Sequence, residues 1–513
     1  MTILNRFSKI LCLWLVVAAA KADISLPTLI TDNMVLQQKT DVALWGWARP
    51  GETVKVKASW LRSSVKTEAD QQGNWLVRIP TGKAGGPYKL TFSGDNSIEV
   101  NNVLLGEVWL CSGQSNMHFP VAKGKSSWET GVTNADEAIP KANYPGIRMF
   151  TVERKVAETP QKNVKGAWIE CSPQTVGDFS AVAYFFARDV YEKTGFPIGL
   201  INSSWGGTPA ESWTQREVLE SYSSFLPILR RYEQGLTTYE KDYAAYKEQV
   251  AIYQKERAEN PKLTRSAPRE PIGVNSNKSP YKLYNAMIHP LAPYTLKGVI
   301  WYQGESNADR AYQYRRLFPM MIDNWRTVWN QPLLPFYFVQ IAPHRSQNPE
   351  IRESQLVTMQ TVSNTGMAVT TDWGDSLDIH PRNKEVVGER LARWALAKQY
   401  GQKKLPYSGP IYRSMKTEGN KIRLQFDHVD KGLVAKDGTL REFTIAGADS
   451  VFVPAQATID GKQIVVWSNQ VAKPVAVRFA WRYVPDPNLF NGAGLPASPF
   501  RTDQWRLITE GKN

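Results

Sequence analysis

Cysteine and histidine are scarce in this chain, three and five among 513 residues. With so few, and with the histidines scattered, no cluster at metal-ligand spacing can be drawn, and metal-assisted chemistry has no visible foothold. Blocks of one charge are missing too. Lys and Arg outnumber Asp and Glu by 62 to 48, yet they are interspersed with acids, so no nucleic-acid arm is expected and weak attraction to acidic glycans is as much as the charge supports. Beyond the N-terminus no stretch approaches the roughly 18 apolar residues of a spanning helix, and no membrane span is expected.

The N-terminus is the exception to this lack of apolar runs. In "MTILNRFSKILCLWLVVAAAKAD", Arg6 and Lys9 precede an apolar stretch from Ile10 to Ala20 that ends in Ala20-Lys21-Ala22. This is the pattern of a secretory signal peptide cut before Asp23, and it predicts a periplasmic or extracellular protein. Cys12 lacks the small residues that precede a lipid-modified cysteine. Arg6, Lys9 and Lys21 leave with the signal and no acid does, so the net charge of +14 becomes +11. Two cysteines remain, Cys111 and Cys171, and a disulfide and a pair of buried thiols are equal readings.

The remaining length is too great for one core and predicts several domains. From 23 to 102, short alternating runs such as "VALWGWA", "TVKVKASW" and "YKLTFSG" between Gly- and Pro-containing turns predict an antiparallel β domain. The same texture returns over 405–513. Between them, over 103–404, the apolar strands "VLLGEVWLC", "IRMFTV", "PIGLINS", "KGVIWYQ", "PFYFVQI" and "MAVTTDW" alternate with helical stretches. That predicts an α/β domain, a mostly parallel sheet flanked by helices. Residues 226–271 interrupt the alternation with a polar helical insertion. Its Tyr239, Tyr243, Tyr246 and Tyr253 share a helix face, a packing stripe with a lesser chance of bordering a substrate cleft.

Ligands of an open parallel sheet bind at the carboxyl ends of its strands. Four polar clusters fall at such ends: "SGQSNM", "SSWGGTPAESW", "QGESNA" and "GDSLDIHP". Taken alone, "CSGQSNM" reads as a turn. The convergence of four clusters on one sheet edge makes Ser115 a candidate nucleophile instead. A serine hydroxyl needs a positioned base, usually histidine. His118 is too close in sequence, His428 lies in the C-terminal β region, and His289 and His344 adjoin prolines. His380, with Asp378 nearby, is the candidate base. Gly206 and Gly207 of "WGGT" and Asn307 of "GESN" are candidate donors to a tetrahedral oxyanion. Gln114 and Gln303, beside these groups, are candidate substrate contacts.

"GEVWLCSGQSNM", "GLINSSWGGTPAESWT", "LYNAMIHPL", "KGVIWYQGESNA" and "DIHPRNK" together resemble the sialate O-acetylesterase family, carbohydrate esterases of the SGNH-hydrolase superfamily. "DNMVLQQ", "LWGWARPGE" and "GGPYKL" extend the resemblance towards the start and "GLPASPFRTDQW" towards the end. It implies a flavodoxin-like SGNH-hydrolase sheet with accessory β domains, no metal and no cofactor. It further implies Ser115 as nucleophile, His380 as base, and Gly206 or Gly207 with Asn307 at the oxyanion. The implied partner is an acetylated carbohydrate, 9-O-acetyl sialic acid first and an acetylated plant polysaccharide such as xylan second. A sialate carboxylate calls for a cation, and Arg382 beside His380 is the candidate. The superfamily spacing Asp-x-x-His would put the acid at 377, where Leu377 stands. Asp378 is therefore the expected acid and Glu305 of "QGE" the alternative. A non-catalytic glycan-binding protein is the reading from another class; it has no use for Ser115, His380 and Asn307 together. Oligomeric state is not legible in the sequence.

Overall fold

The computed structural model describes residues 23–260, 263, 265 and 267–513; the signal peptide expected over 1–22 lies outside them. The central element is β1 (Ser97–Gly113), whose burial changes character along its length. Its first residues alternate between exposed and buried, as in a one-sided antiparallel strand, and pair with Gly85–Ser93. From Val103 onwards every residue is buried, as in a parallel strand covered on both faces. The boundary expected at 102/103 thus falls where burial changes but inside a continuous strand.

The strands Tyr144–Thr151 (β2), Trp168–Cys171 (β3), Ile198–Ser204 (β4), Gly298–Tyr302 (β5), Phe336–Gln340 (β6) and Thr365–Val369 (β7) complete the sheet around β1. Their order is β7-β6-β5-β1-β4-β2-β3. All neighbours are parallel except the β2–β3 pair. The chain moves to one side of β1 for β2 and β4, then to the other for β5, β6 and β7. The carboxyl end of β1 therefore sits where the winding reverses, the place an open sheet leaves a crevice.

The helices include Ala181–Thr194 (α1), Leu226–Glu259 (α2), Ala311–Val328 (α3), Pro349–Thr361 (α4) and Lys384–Gln399 (α5). α1 starts at Ser180, whose Oγ accepts from Ala183 N, and stops at Gly195 in the left-handed conformation. α4 starts with Asn348 accepting from two amides and Pro349 in the first turn. Beyond α5 the C-terminal strands form antiparallel sheets. They dock on α4 through Arg501 Nε to Glu353 Oε1 (2.7 Å) and Ile508 N to Glu350 Oε1 (2.7 Å).

α2, 34 residues long, starts at Leu226, within the stretch 226–271 read as a helical insertion. Its Tyr239 and Tyr243 rings stack at 5.5 Å, with Tyr246 next at 5.9 Å. A Cβ on Gly273 would lie 2.5 Å from the Tyr239 ring, so the returning chain packs on the stripe. Cys111 and Cys171 are free buried thiols. They sit on β1 and β3, three strand spacings apart, roughly 14 Å, and no disulfide spans that distance. Burial pushes both thiols up, Cys171 to about 12.

Candidate active site

Gly113 ends β1 with a φ of 137°, and a Cβ there would lie 2.2 Å from the Tyr302 carbonyl oxygen. Only glycine lets the chain pass β5 so closely while turning into the short helix Ser115–His118. That turn presents the Ser115 hydroxyl, with the residue 7% exposed, at the mouth of the sheet.

His380 comes from the loop before α5. Its Nε2 lies 2.9 Å from Ser115 Oγ. The other four histidines have other neighbours: His118 meets Glu129, His289 the Gln161 carbonyl, His344 the Ser346 hydroxyl, and His428 the Tyr407 ring. Burial, reinforced by the Lys384 charge and opposed by Asp378, pushes His380 down to about 4, so the imidazole is neutral near pH 7. A neutral ring with its lone pair on Nε2 carries its proton on Nδ1.

Nδ1 faces Asp378 Oδ1 at 3.6 Å, and the same oxygen accepts the His380 main-chain N–H at 2.8 Å. Asp378 is thus beside the ring, slightly beyond hydrogen-bond distance, with its side chain 46% exposed. Asp375 Oδ1 accepts the N–H groups of Leu377 and Asp378 and shapes this turn, while Leu377 points into solvent. Glu305 turns elsewhere. Its Oε1 accepts from Asn116 Nδ2 at 2.7 Å, and Oε2 is buried with no hydrogen-bond partner among the described residues. Asn116 Nδ2 also donates to the Ile379 carbonyl at 3.0 Å, directly before His380, and Lys384 Nζ donates to Asn116 Oδ1.

Lys384 is fully buried and lies over the Phe119 ring at 4.7 Å. Burial, opposed by Glu305 and Asp378, pushes it down to about 7, while burial raises Glu305. Asn116 and Lys384 were not singled out as functional from the sequence. Both lie inside quoted motifs, "SGQSNM" and "DIHPRNK", and that adjacency was the available signal.

Gly206 packs against Ser115: a Cβ there would stand 3.2 Å from Ser115 Cβ. Its carbonyl accepts from Asn277 Nδ2 at 3.0 Å. Among the described residues the main-chain N–H groups of Ser115, Gly206 and Gly207 have no protein acceptor. Asn307 is buried behind this turn. Its Oδ1 accepts from Ala210 N (2.9 Å) and Gln303 Nε2 (2.7 Å), and its Nδ2 donates to Glu211 Oε2 (2.8 Å). Burial opposes the Glu211 charge, but Arg310 and Asn307 outweigh it and hold its pKa low.

Gln303 is wholly buried and also donates to the Thr208 carbonyl; Gln114 accepts from Ser306 N at 3.4 Å. Both therefore brace the site from within. Arg382 does not face Ser115 with a free head group. Its Nε donates to the Gly131 carbonyl at 2.8 Å and its Nη2 to those of Thr130 and Val132, so it anchors the loop that carries Trp128.

A cavity of about 670 Å³ opens beside this turn, between Gly207, Glu305 and Ser306 on one side and Arg231, Tyr232 and Ile272 on the other. α2 and its return thus border this cavity, but none of Tyr239, Tyr243, Tyr246 and Tyr253 lines it. Another hollow, about 600 Å³, is lined by Leu104, Arg148 and Pro197 near the amino ends of the strands, away from Ser115. No helix among the described residues is long and apolar enough to cross a membrane, and no group of three or more His, Cys, Asp or Glu there is disposed to hold a metal.

The family model "Carbohydrate esterase, sialic acid-specific acetylesterase" matches residues 105–245 and 273–397. The sialate O-acetylesterase of Rattus norvegicus is 30% identical over 92% of this chain and 93% of its own length. The Homo sapiens enzyme of the same name is also 30% identical, over 92% and 91%. The crystal structure of a carbohydrate acetylesterase from Xanthomonas citri covers 94% of this chain and 100% of its own, with 37% identity and a TM-score of 0.79. A serine and a neutral imidazole at the carboxyl edge of a helix-flanked parallel sheet fit that kinship, and the chain belongs to the sialic acid-specific acetylesterase family of carbohydrate esterases.

Proposed function

We propose that this carbohydrate O-acetylesterase works through an acyl-enzyme on Ser115 and that its substrate is an O-acetylated sialic acid. The contact of 2.9 Å between Ser115 Oγ and His380 Nε2 carries the mechanistic reading. Ser115 Oγ attacks the acetyl carbonyl carbon while His380 Nε2 takes the hydroxyl proton. The carbonyl oxygen becomes an oxyanion that the unengaged N–H groups at Ser115 and Gly206 are disposed to stabilise, with Asn307 stiffening the turn behind them. Collapse breaks the bond to the sugar oxygen, which takes the proton from His380 Nε2 and leaves as an alcohol. Water then attacks the acetyl-serine, His380 takes its proton, and acetate departs as Ser115 Oγ regains a proton.

Asp378 holds the imidazole orientation through the turn it shares with His380, and catalytic contacts of 3.6 Å in a substrate-free site commonly tighten with substrate bound. The sialate assignment is supported by the kinship with sialate O-acetylesterases. Export is supported by the charged and apolar pattern of residues 1–22.

The deciding assay follows acetate release from 9-O-acetyl sialic acid, acetylated xylan and 4-nitrophenyl acetate, each with and without EDTA. Preferential release from the sialic acid, undiminished by chelator, is expected. Preference for xylan would replace the substrate assignment. Loss with EDTA that added metal restores would overturn the serine mechanism, and release from none of the three would leave a glycan-binding protein.

A further inference from the structure

The departing sugar oxygen takes its proton from His380 Nε2, so the sugar lies on the His380 side of Ser115. On that side the Trp128 ring packs against His380, centroids 4.8 Å apart at 31°. Trp128 is half-buried and continues to the His118 ring at 5.9 Å. His118 Nε2 meets Glu129 Oε1 at 3.0 Å, and Arg154 Nη2 meets both ring nitrogens of His118, Nε2 more closely than Nδ1. Burial and the Arg154 charge hold His118 low, against Glu129, so the ring is neutral.

Arg154 stands just beyond the carboxyl end of β2, exposed, and among the described residues it has no carboxylate within ion-pair distance; Glu129, on the far side of His118, is the carboxylate whose charge it feels. A guanidinium has five N–H donors in a planar fork suited to a carboxylate. Arg154 leaves most of them free at one end of an aromatic strip whose other end is the catalytic imidazole. Three other cations of the site are engaged elsewhere: Arg382 with the 130–132 carbonyls, Lys384 with Asn116, and Arg310 with Glu211.

We propose that Arg154 binds the carboxylate of an anionic acetylated sugar and that Trp128 supports the sugar between Arg154 and His380. The inference rests on the acyl-enzyme reading and supplies the feature that separates a sugar acid from a neutral sugar. It also gives Arg382 its role, because the loop it anchors through residues 130–132 carries Trp128 and Glu129.

The experiment compares wild type, Arg154→Gln, Arg154→Lys and Arg231→Gln on 9-O-acetyl sialic acid, its C1 methyl ester and 4-nitrophenyl acetate, reading acetate or nitrophenol. Wild type is expected to prefer the free acid to the methyl ester. Arg154→Gln is expected to reduce that preference roughly 10- to 100-fold, the worth of a charged hydrogen-bond pair, through KM rather than kcat, and Arg154→Lys to restore part of it. The proposal is overturned if Arg154→Gln lowers all three substrates in proportion, which marks a structural role through His118. It is equally overturned if Arg231→Gln removes the preference instead. Hydrolysis of 4-nitrophenyl acetate by a wild type indifferent to the carboxylate sinks the subsite and spares the acyl-enzyme reading. Inactivity on every ester sinks both.

Discussion

Replacing Asp378 by Asn tests which carboxylate serves His380. A unit charge at about 4 Å is worth about 1 kcal/mol in water and about 4 kcal/mol at an effective dielectric of 20. Asp378 lies 3.6 Å from Nδ1 but is 46% exposed, so the lower part of that range applies, about 1–2 kcal/mol. Asp378 raises the His380 pKa, so its loss lowers it. The acid limb of kcat/KM, set by an imidazole that is active only when neutral and titrates near 4, is expected to move to lower pH by about one unit.

On the acyl-enzyme reading an imidazolium forms in the transition state, so the charge loss alone is expected to slow turnover about tenfold. Losing the acceptor that selects the Nδ1–H tautomer adds more, and where such an acid is fully engaged the loss reaches about ten-thousandfold. With the 2.8 Å bond from His380 N retained by the Asn oxygen, the expected fall is about a hundred- to a thousandfold. The same measurements on Glu305→Gln form the comparison. Glu305 contacts Asn116, and Gln can keep that bond while burying new unpartnered N–H donors at Oε2, at about 1–3 kcal/mol. A lower Tm with a smaller loss of kcat is expected there. Turnover of 4-nitrophenyl acetate across pH 3–9, with circular dichroism to verify folding, reads both. Near-normal Asp378→Asn beside collapse in Glu305→Gln would refute the assignment.

Ser115→Ala is expected to lower kcat by about 10⁵-fold or more, whereas Ser306→Ala, whose N–H rather than hydroxyl meets Gln114, is expected to cost far less; phosphonate labelling of Ser306 in preference to Ser115 would reverse the two. Lys384→Met removes the charge that helps hold His380 low, so the acid limb should move to higher pH, opposite to Asp378→Asn, as read from kcat/KM profiles. Gly206→Ala places a methyl group 3.2 Å from Ser115 Cβ and displaces an oxyanion donor, with an expected loss of about a hundredfold in kcat and an unchanged Tm.

Much of the molecule was legible before any contact was known. A wholly buried parallel strand must be apolar along its length, which is why "VLLGEVWLC", "KGVIWYQ" and "PFYFVQI" stand out and why polar clusters mark their ends. Five histidines are few enough that position alone isolates His380. α4 was less visible, although Asn348 and Pro349 carried a helix-start signal at its head.

Side-chain direction was not legible, because segments far apart in sequence set it. Arg382 sits two residues from His380, yet carbonyls some 250 residues earlier hold its guanidinium. Glu305, an alternative acid from its motif, is drawn to Asn116, 189 residues away. Asn307, Gln303 and Gln114 are polar residues in the quoted motifs, and packing behind the turn commits them to bracing it, since a buried polar group must find a partner. The cysteines were undecided in sequence; strand order alone placed them too far apart to bond. Local chemistry named the residues able to act, and the long-range pairing of β1 with β4 and β5 decided which of them gather around Ser115 and which are buried behind it.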